Sequence, residues 1–336
     1  MKRLAFSVVV GFVSCAYSEV LVADPSILFS EGRYLLVGTE NGIVSKPGER
    51  TSGQAVFPLY VSEDLQCWKL AETPLGAGRL LARVDAFGTS SFWAPQLFRH
   101  RGHWFFAYSC DRRWGLAAAD RAEGPFKTVL EFPRDRGFAI DPYVFRDDDG
   151  GVFAYYSGGN CIRAVRLTES LDAFDGDIVT CVVSDREWER LPLEDRYRKL
   201  NQRLGYGACD GFNSSDRVIE GPSVLKRHGK YVLFYSANDF RSPDYCVGVA
   251  VADAPKGPWK KLQGGPVLWR EQSGLNGTGH GDVFFDRAGE LWYVFHAHNS
   301  NIRIDPRRTG IIRLHETVGT DGYPRYAADP ATMHLL

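Results

Sequence analysis

The sequence predicts an all-β protein built as a single-domain, five-bladed β-propeller. Three observations carry this reading. Aromatic residues reach 13% beside 35 glycines in 336 residues, a composition of many short strands joined by turns. One layout recurs five times along the chain. Helical patterning is weak everywhere except Asp185 to Leu204, an insertion compatible with helix or extended loop.

Each repeat opens with a small or Pro-containing turn and an apolar strand, then a Gly-containing turn and a second, aromatic-rich strand. The first is Asp24-Pro25-Ser26-Ile27-Leu28, answered by Tyr34-Leu35-Leu36-Val37. The second is Ala94-Pro95-Gln96-Leu97-Phe98, answered by Trp104-Phe105-Phe106-Ala107-Tyr108. The third is Asp141-Pro142-Tyr143-Val144-Phe145 with Phe153-Ala154-Tyr155-Tyr156. The fourth is Gly221-Pro222-Ser223-Val224-Leu225 with Tyr231-Val232-Leu233-Phe234-Tyr235. The fifth is His280-Gly281-Asp282-Val283-Phe284 with Leu291-Trp292-Tyr293-Val294-Phe295. A third strand follows in every unit, as in Val247-Gly248-Val249-Ala250-Val251, and a fourth, outer strand is expected to close each blade. Radial repetition of such units leaves only short, protected edges. A β-sandwich or irregular barrel is the competing arrangement.

The N-terminus reads as an export signal over residues 1–18, leaving 19–336 as the propeller. Lys2 and Arg3 precede an apolar run from Leu4 to Val13, and Ala16-Tyr17-Ser18 offers small residues to a signal peptidase. The run is too short to span a bilayer, and no later segment is apolar enough to do so. A secreted or periplasmic protein is expected. Phe12-Val13-Ser14-Cys15 is a poor lipoprotein box, leaving anchoring at Cys15 as the lesser alternative. The six later cysteines are scattered, without CxxC or His at metal spacing, which argues against a structural zinc site. The formal net charge of -1 gives no electrostatic reason for nucleic acid or an anionic membrane as partner. A monomer is expected.

In a propeller the innermost strands run the same way along the axis, so their first residues ring one mouth. Those positions are Asp24, Trp93-Ala94, Asp141, Glu220-Gly221 and His280. Three acids, far apart in sequence, are thereby delivered to one rim. Asp before Pro is also a common turn entry, but independent turn residues need not fall at the same blade position. Like charges crowded in a partly desolvated mouth raise one another's pKa. Glycosidic cleavage uses such a cluster, with one carboxyl protonated to serve the leaving oxygen and another ionised to activate water. A third can hold the acid's pKa high and orient it. Trp93 is a candidate to stack on a sugar face, His280 to contact substrate, and Arg308 to reach the rim and bond sugar hydroxyls. Each also has a plain structural reading, as interblade packing, channel histidine or surface arginine.

The motifs Ala23-Asp24-Pro25, Trp93-Ala94-Pro95, Ile140-Asp141-Pro142, Glu220-Gly221-Pro222 and Gly277-Thr278-Gly279-His280-Gly281, in this order, resemble glycoside hydrolase family 43 over essentially the whole mature chain. The resemblance implies a five-bladed propeller and an inverting mechanism, with Asp24 as general base, Asp141 as pKa modulator and Glu220 as general acid. It implies action on arabinose- or xylose-containing oligo- or polysaccharide, α-L-arabinofuranosidase ahead of β-D-xylosidase or exo-galactanase. No cofactor is required by it, although family members sometimes hold calcium near the residue matching His280. Gln96 stands where the second-blade motif often carries an acid, predicting altered substrate bonding there. A non-catalytic carbohydrate-binding propeller is the alternative of a different class, and it would be expected to have lost one of the three acids.

Overall fold

The computed structural model describes residues 19–40, 55–190, 217–262 and 264–336. The expected signal segment, Cys15, Cys209, most of the 42–55 loop and most of the 185–216 insertion lie outside these residues.

The described strands form five antiparallel sheets. The first holds β1 (Val22–Ser30), β2 (Arg33–Glu40), β3 (Ala55–Ser62) and β4 (Lys69–Leu70), with β5 (Arg79–Ala82) also paired to β3. The second holds β6 (Trp93–His100), β7 (His103–Cys110), β8 (Arg113–Ala119) and β9 (Lys127–Glu131). The third holds β10 (Ile140–Arg146), β11 (Val152–Ser157), β12 (Cys161–Leu167) and β13 (Val179–Val183). The fourth holds β14 (Ile219–Arg227), β15 (Lys230–Ala237), β16 (Cys246–Ala252) and β17 (Lys260–Lys261). The fifth holds β18 (Gly279–Phe285), β19 (Leu291–Ala297), β20 (Arg308–Val318) and β21 (Pro324–Leu335). Each blade thus has the expected outer strand. The only described α-helix is one short turn, Arg270–Ser273, before β18. The insertion, where helix and loop were both open, shows a 3-10 turn at Glu187–Glu189 among its described residues.

The first strands of the blades pack side by side in a closed ring, β1 against β6, β6 against β10, β10 against β14, β14 against β18, and β18 against β1. Apolar side chains fill the wedges between blades. Phe57, Phe106 and Phe126 lie between the first two, Trp114, Phe132 and Tyr156 between the second and third, and Phe234, Tyr293 and Phe295 between the last two. Large aromatics suit a wedge that widens away from the axis, because each removes on the order of 150–250 Å² from water. The ring closes where Val20 N donates to Leu336 O at 2.9 Å and Leu336 N to Thr309 O at 3.0 Å. Cys110, Cys161, Cys181 and Cys246 are free thiols.

One irregularity is repeated in all five blades. The pairing of first and second strands slips between Ala23 and Ser26, Trp93 and Gln96, Ile140 and Tyr143, Glu220 and Ser223, and Gly279 and Asp282. The bulged residues Asp24, Ala94, Asp141, Gly221 and His280 all have positive φ, between 40° and 57°. A bulge re-aims its side chain and bends the strand, so the mouth is built by the same device five times.

Candidate active site

Asp24 and Asp141 occupy bulges themselves. In the fourth blade glycine takes the bulge, and Glu220 sits one residue earlier, opposite Ser236. Gly221 is required there by space as well as by φ, since a Cβ would meet the His280 ring at 2.7 Å. Trp93 holds the blade position equivalent to Glu220 and is half-buried.

The second strand braces this arrangement from one blade to the next. Hydroxyls of Thr39, Ser109 and Ser236 accept the bulge N–H of Ala94, Asp141 and His280 at 2.8, 2.8 and 2.7 Å. In the fifth blade the equivalent residue is His296, whose Nδ1 lies 3.1 Å from Asp24 N. Thr39 Oγ1 also donates to Asp24 Oδ2 at 2.6 Å.

Asp24 is buried among donors. His280 Nδ1, His296 Nδ1 and Arg307 Nη1 lie 3.3, 3.2 and 3.4 Å from its Oδ1. Arg307 Nη1 also faces His296 Nε2 at 3.4 Å. Burial opposes ionisation of Asp24, but His280, Arg307 and His296 outweigh it and hold the carboxyl well below the usual range. Burial in turn pushes the pKa of both histidines down, that of His296 to about 3.

The other two acids behave oppositely. Burial pushes Asp141 well above its ordinary value, and the charges of Glu220 and Asp24 add to the shift. Its Oδ2 accepts the Gly221 N–H at 3.3 Å, next in chain to Glu220. Glu220 is pushed up to about 8, by burial first, with Asp239 and Asp24 adding, and with a hydrogen bond from Tyr245 and the charge of Arg307 opposing. The mouth therefore holds one carboxylate that stays ionised and a pair that keeps a proton near neutral pH.

Two expectations need correction. Arg308 does not reach the mouth, because its Nε pairs with Glu19 at 2.7 Å on the outside. Successive residues at the start of a strand face opposite sides, so Arg307 turns inward and Arg308 outward. Gln96 is buried and clamps the next blade, accepting from Val144 N at 2.7 Å and donating to Val144 O at 3.3 Å. It is a strut between first strands, one layer below the mouth. Ser26 and Ser223 act alike in that layer, donating to Asp282 at 2.7 and 2.6 Å.

Sequence reasoning missed Arg307, His296 and Tyr245. Arg307 was separable from Arg308 only by knowing where β20 begins. His296 shares its blade position with Thr39, Ser109 and Ser236, a signal present in the repeats. Nothing in the sequence separates Tyr245 from a core tyrosine.

The glycosyl hydrolases family 43 profile matches residues 18–318. A β-D-galactofuranosidase of Aspergillus niger is 26% identical over 313 residues, covering 87% of this chain and 79% of that protein. A xylosidase/arabinosidase of Bacteroides ovatus is 22% identical over 299 residues, covering 82% and 85%. Among solved structures, one described as an endo-1,4-β-xylanase from Bacteroides thetaiotaomicron superposes with a TM-score of 0.73 at 30% identity, covering 92% of this chain and 95% of that one. With its five blades, its three mouth carboxyls and a profile match along most of its length, this chain belongs to glycosyl hydrolase family 43 and is a glycoside hydrolase.

Proposed function

We propose that the chain is an inverting, exo-acting α-L-arabinofuranosidase, in which Glu220 is the general acid, Asp24 the general base and Asp141 the group that keeps Glu220 protonated and oriented. The observation that carries this reading is the opposed ionisation of Asp24 and Glu220 within one mouth. Glu220 gives its proton to the glycosidic oxygen as the bond to the anomeric carbon breaks. Asp24 takes a proton from the water that attacks the opposite face. Inversion requires space for that water, and acid and base about 6.5–9.5 Å apart. His280 and Arg307 are suited to orient both Asp24 and the sugar hydroxyls, and Trp93 to stack on the sugar. No cofactor takes part. A calcium ion beside His280 would be held chiefly by water, since no three acidic, histidine or cysteine side chains cluster at ligating distance among the described residues.

The furanoside preference is supported by the relative named as a galactofuranosidase, and β-D-xylosidase is the second reading, supported by the relative named as a xylosidase/arabinosidase. Export with cleavage after Ser18, and action as a monomer on plant-type polysaccharide, complete the proposal.

Para-nitrophenyl α-L-arabinofuranoside, β-D-xyloside and β-D-galactofuranoside, each followed by proton NMR of the first product, test it. Fastest release of arabinose as the opposite anomer is the expected result. Retained configuration would overturn the mechanism, and preference for xyloside would transfer the assignment to the second reading.

A further inference from the structure

The connection between β15 and β16, residues 238–245, ends in Tyr245, which is completely buried. Its hydroxyl donates to Glu220 Oε1 at 2.7 Å. Its ring lies on the imidazole of His296, with centroids 5.6 Å apart and planes 11° from parallel. His296 in turn lies against Asp24, at 3.2 Å from the carboxylate. One side chain therefore touches the acid directly and the base through a single intermediary. Room for the ring is made by Gly279, where a Cβ would come within 2.6 Å of it.

We propose that Tyr245 is the positioning residue of this site, directing the proton of Glu220 to Oε2 and setting the spacing between acid and base through His296. The inference rests on the hydrolase reading above. A neutral carboxyl has one hydroxyl oxygen and one carbonyl oxygen. The phenol is pushed well above its ordinary value by burial and by Glu220, so it remains a donor at any working pH. A fixed donor at Oε1 makes that oxygen the carbonyl and leaves the transferable proton on Oε2. When the proton passes to the leaving oxygen, the carboxylate that remains still accepts from Tyr245, a charge-assisted bond stronger than the one it replaces. The neighbours that share in Glu220's titration are Asp24, Asp141 and Asp239, which favour the protonated form, and Arg307 and Tyr245, which favour the carboxylate.

Two substitutions separate the two contacts. Tyr245→Phe keeps the ring on His296 and removes the donor. Tyr245→Leu removes both. For Tyr245→Phe, the alkaline limb of kcat/KM is expected to move up by about one pH unit, the equivalent of one hydrogen bond to a charged group. Turnover of alkyl or oligosaccharide substrates, whose leaving groups need protonation, should fall roughly tenfold. Turnover of dinitrophenyl glycosides, which leave unaided, should change by less than about threefold. Tyr245→Leu should in addition slow the dinitrophenyl substrate roughly tenfold, through the displaced base. Thermal melts and circular dichroism establish that each variant is folded, and Tyr245→Phe alone decides the proton-directing role. An unshifted pH profile with unchanged leaving-group dependence in Tyr245→Phe would overturn that role. Equal rates for the two variants on the dinitrophenyl substrate would overturn the spacing role. Wild-type protein inactive on every glycoside would instead overturn the hydrolase reading, a separate outcome.

Discussion

Replacing Glu220 by Gln is expected to stabilise the protein at neutral pH while removing its activity. An unfolded glutamate ionises near 4.5, whereas Glu220 holds its proton up to about 8 in the folded chain. Between those values the folded state binds a proton that the unfolded state has released, so folding loses stability as pH rises, at about 1.4 kcal/mol per unit. From 4.5 to pH 7 the upper bound is roughly 3.5 kcal/mol. Since Asp141 shares the same proton-binding neighbourhood, about 2–3 kcal/mol is the expected size for the single substitution. Gln has the same shape, keeps a carbonyl to accept from Tyr245, and never ionises. For a domain of this size about 2 °C accompanies each kcal/mol, which makes the expected rise in Tm about 4–6 °C at pH 7. At pH 4 both states of the wild type are protonated and the two proteins should melt together. Differential scanning calorimetry between pH 4 and 8 is the assay. Equal Tm values at pH 7, or a gain of the same size at pH 4, would refute the electrostatic account, the second by assigning the effect to packing.

Three further outcomes follow from the same geometry. Asp24→Asn should lower turnover by about 10²–10⁴-fold even on dinitrophenyl glycosides, because water activation is needed whatever the leaving group; steady-state kinetics on that substrate checks it. Arg307→Lys loses the planar fork beside Asp24 and should cost kcat/KM about 10–100-fold, while Arg308→Ala, on the outside, should stay within about twofold; both are read from arabinofuranoside kinetics. Gly281→Ala would place a Cβ 1.7 Å from the Val294 carbonyl oxygen, and denaturant unfolding should show a loss of more than about 3 kcal/mol.

Repetition made the fold legible. Five copies of one hairpin pattern name both the architecture and the blade position of each acid, so Asp24, Asp141 and Glu220 could be placed at one mouth without coordinates. What the repeat does not encode is which way a side chain turns next to a strand end. Arg307 and Arg308 are adjacent and chemically identical, and only the start of β20 at Arg308 decides that the first faces Asp24. Gln96 misled for a related reason. It lies two residues beyond the bulge, where side chains return to the interior, and so it bonds Val144 rather than a sugar. Tyr245 lies in a connection much longer than the matching ones of the second and third blades, so the repeat does not align it, and its role depends on contacts to residues 25 and 51 positions away.

The bulge explains why three acids can be kept so close. Positive φ on a non-glycine residue costs on the order of 1 kcal/mol or more, and four of the five bulges carry one, Asp24, Ala94, Asp141 and His280. Burying Asp141 and Glu220, whose pKa values burial raises, adds to that cost at neutral pH. Neither is compensated at the mouth itself. The compensation lies outward, in the aromatic wedges between blades, and sideways, in hydroxyls that grip the next blade's bulge. Ala94 shows that the strain belongs to the architecture and not to the chemistry, since it has no group to offer a substrate yet adopts the same conformation. The scaffold thus supplies five aimed positions, and this chain spends two bulges on acids and one on a histidine. It shifts its third acid one residue back, where the longer Glu220 side chain reaches Tyr245 while Gly221 lets His280 come close.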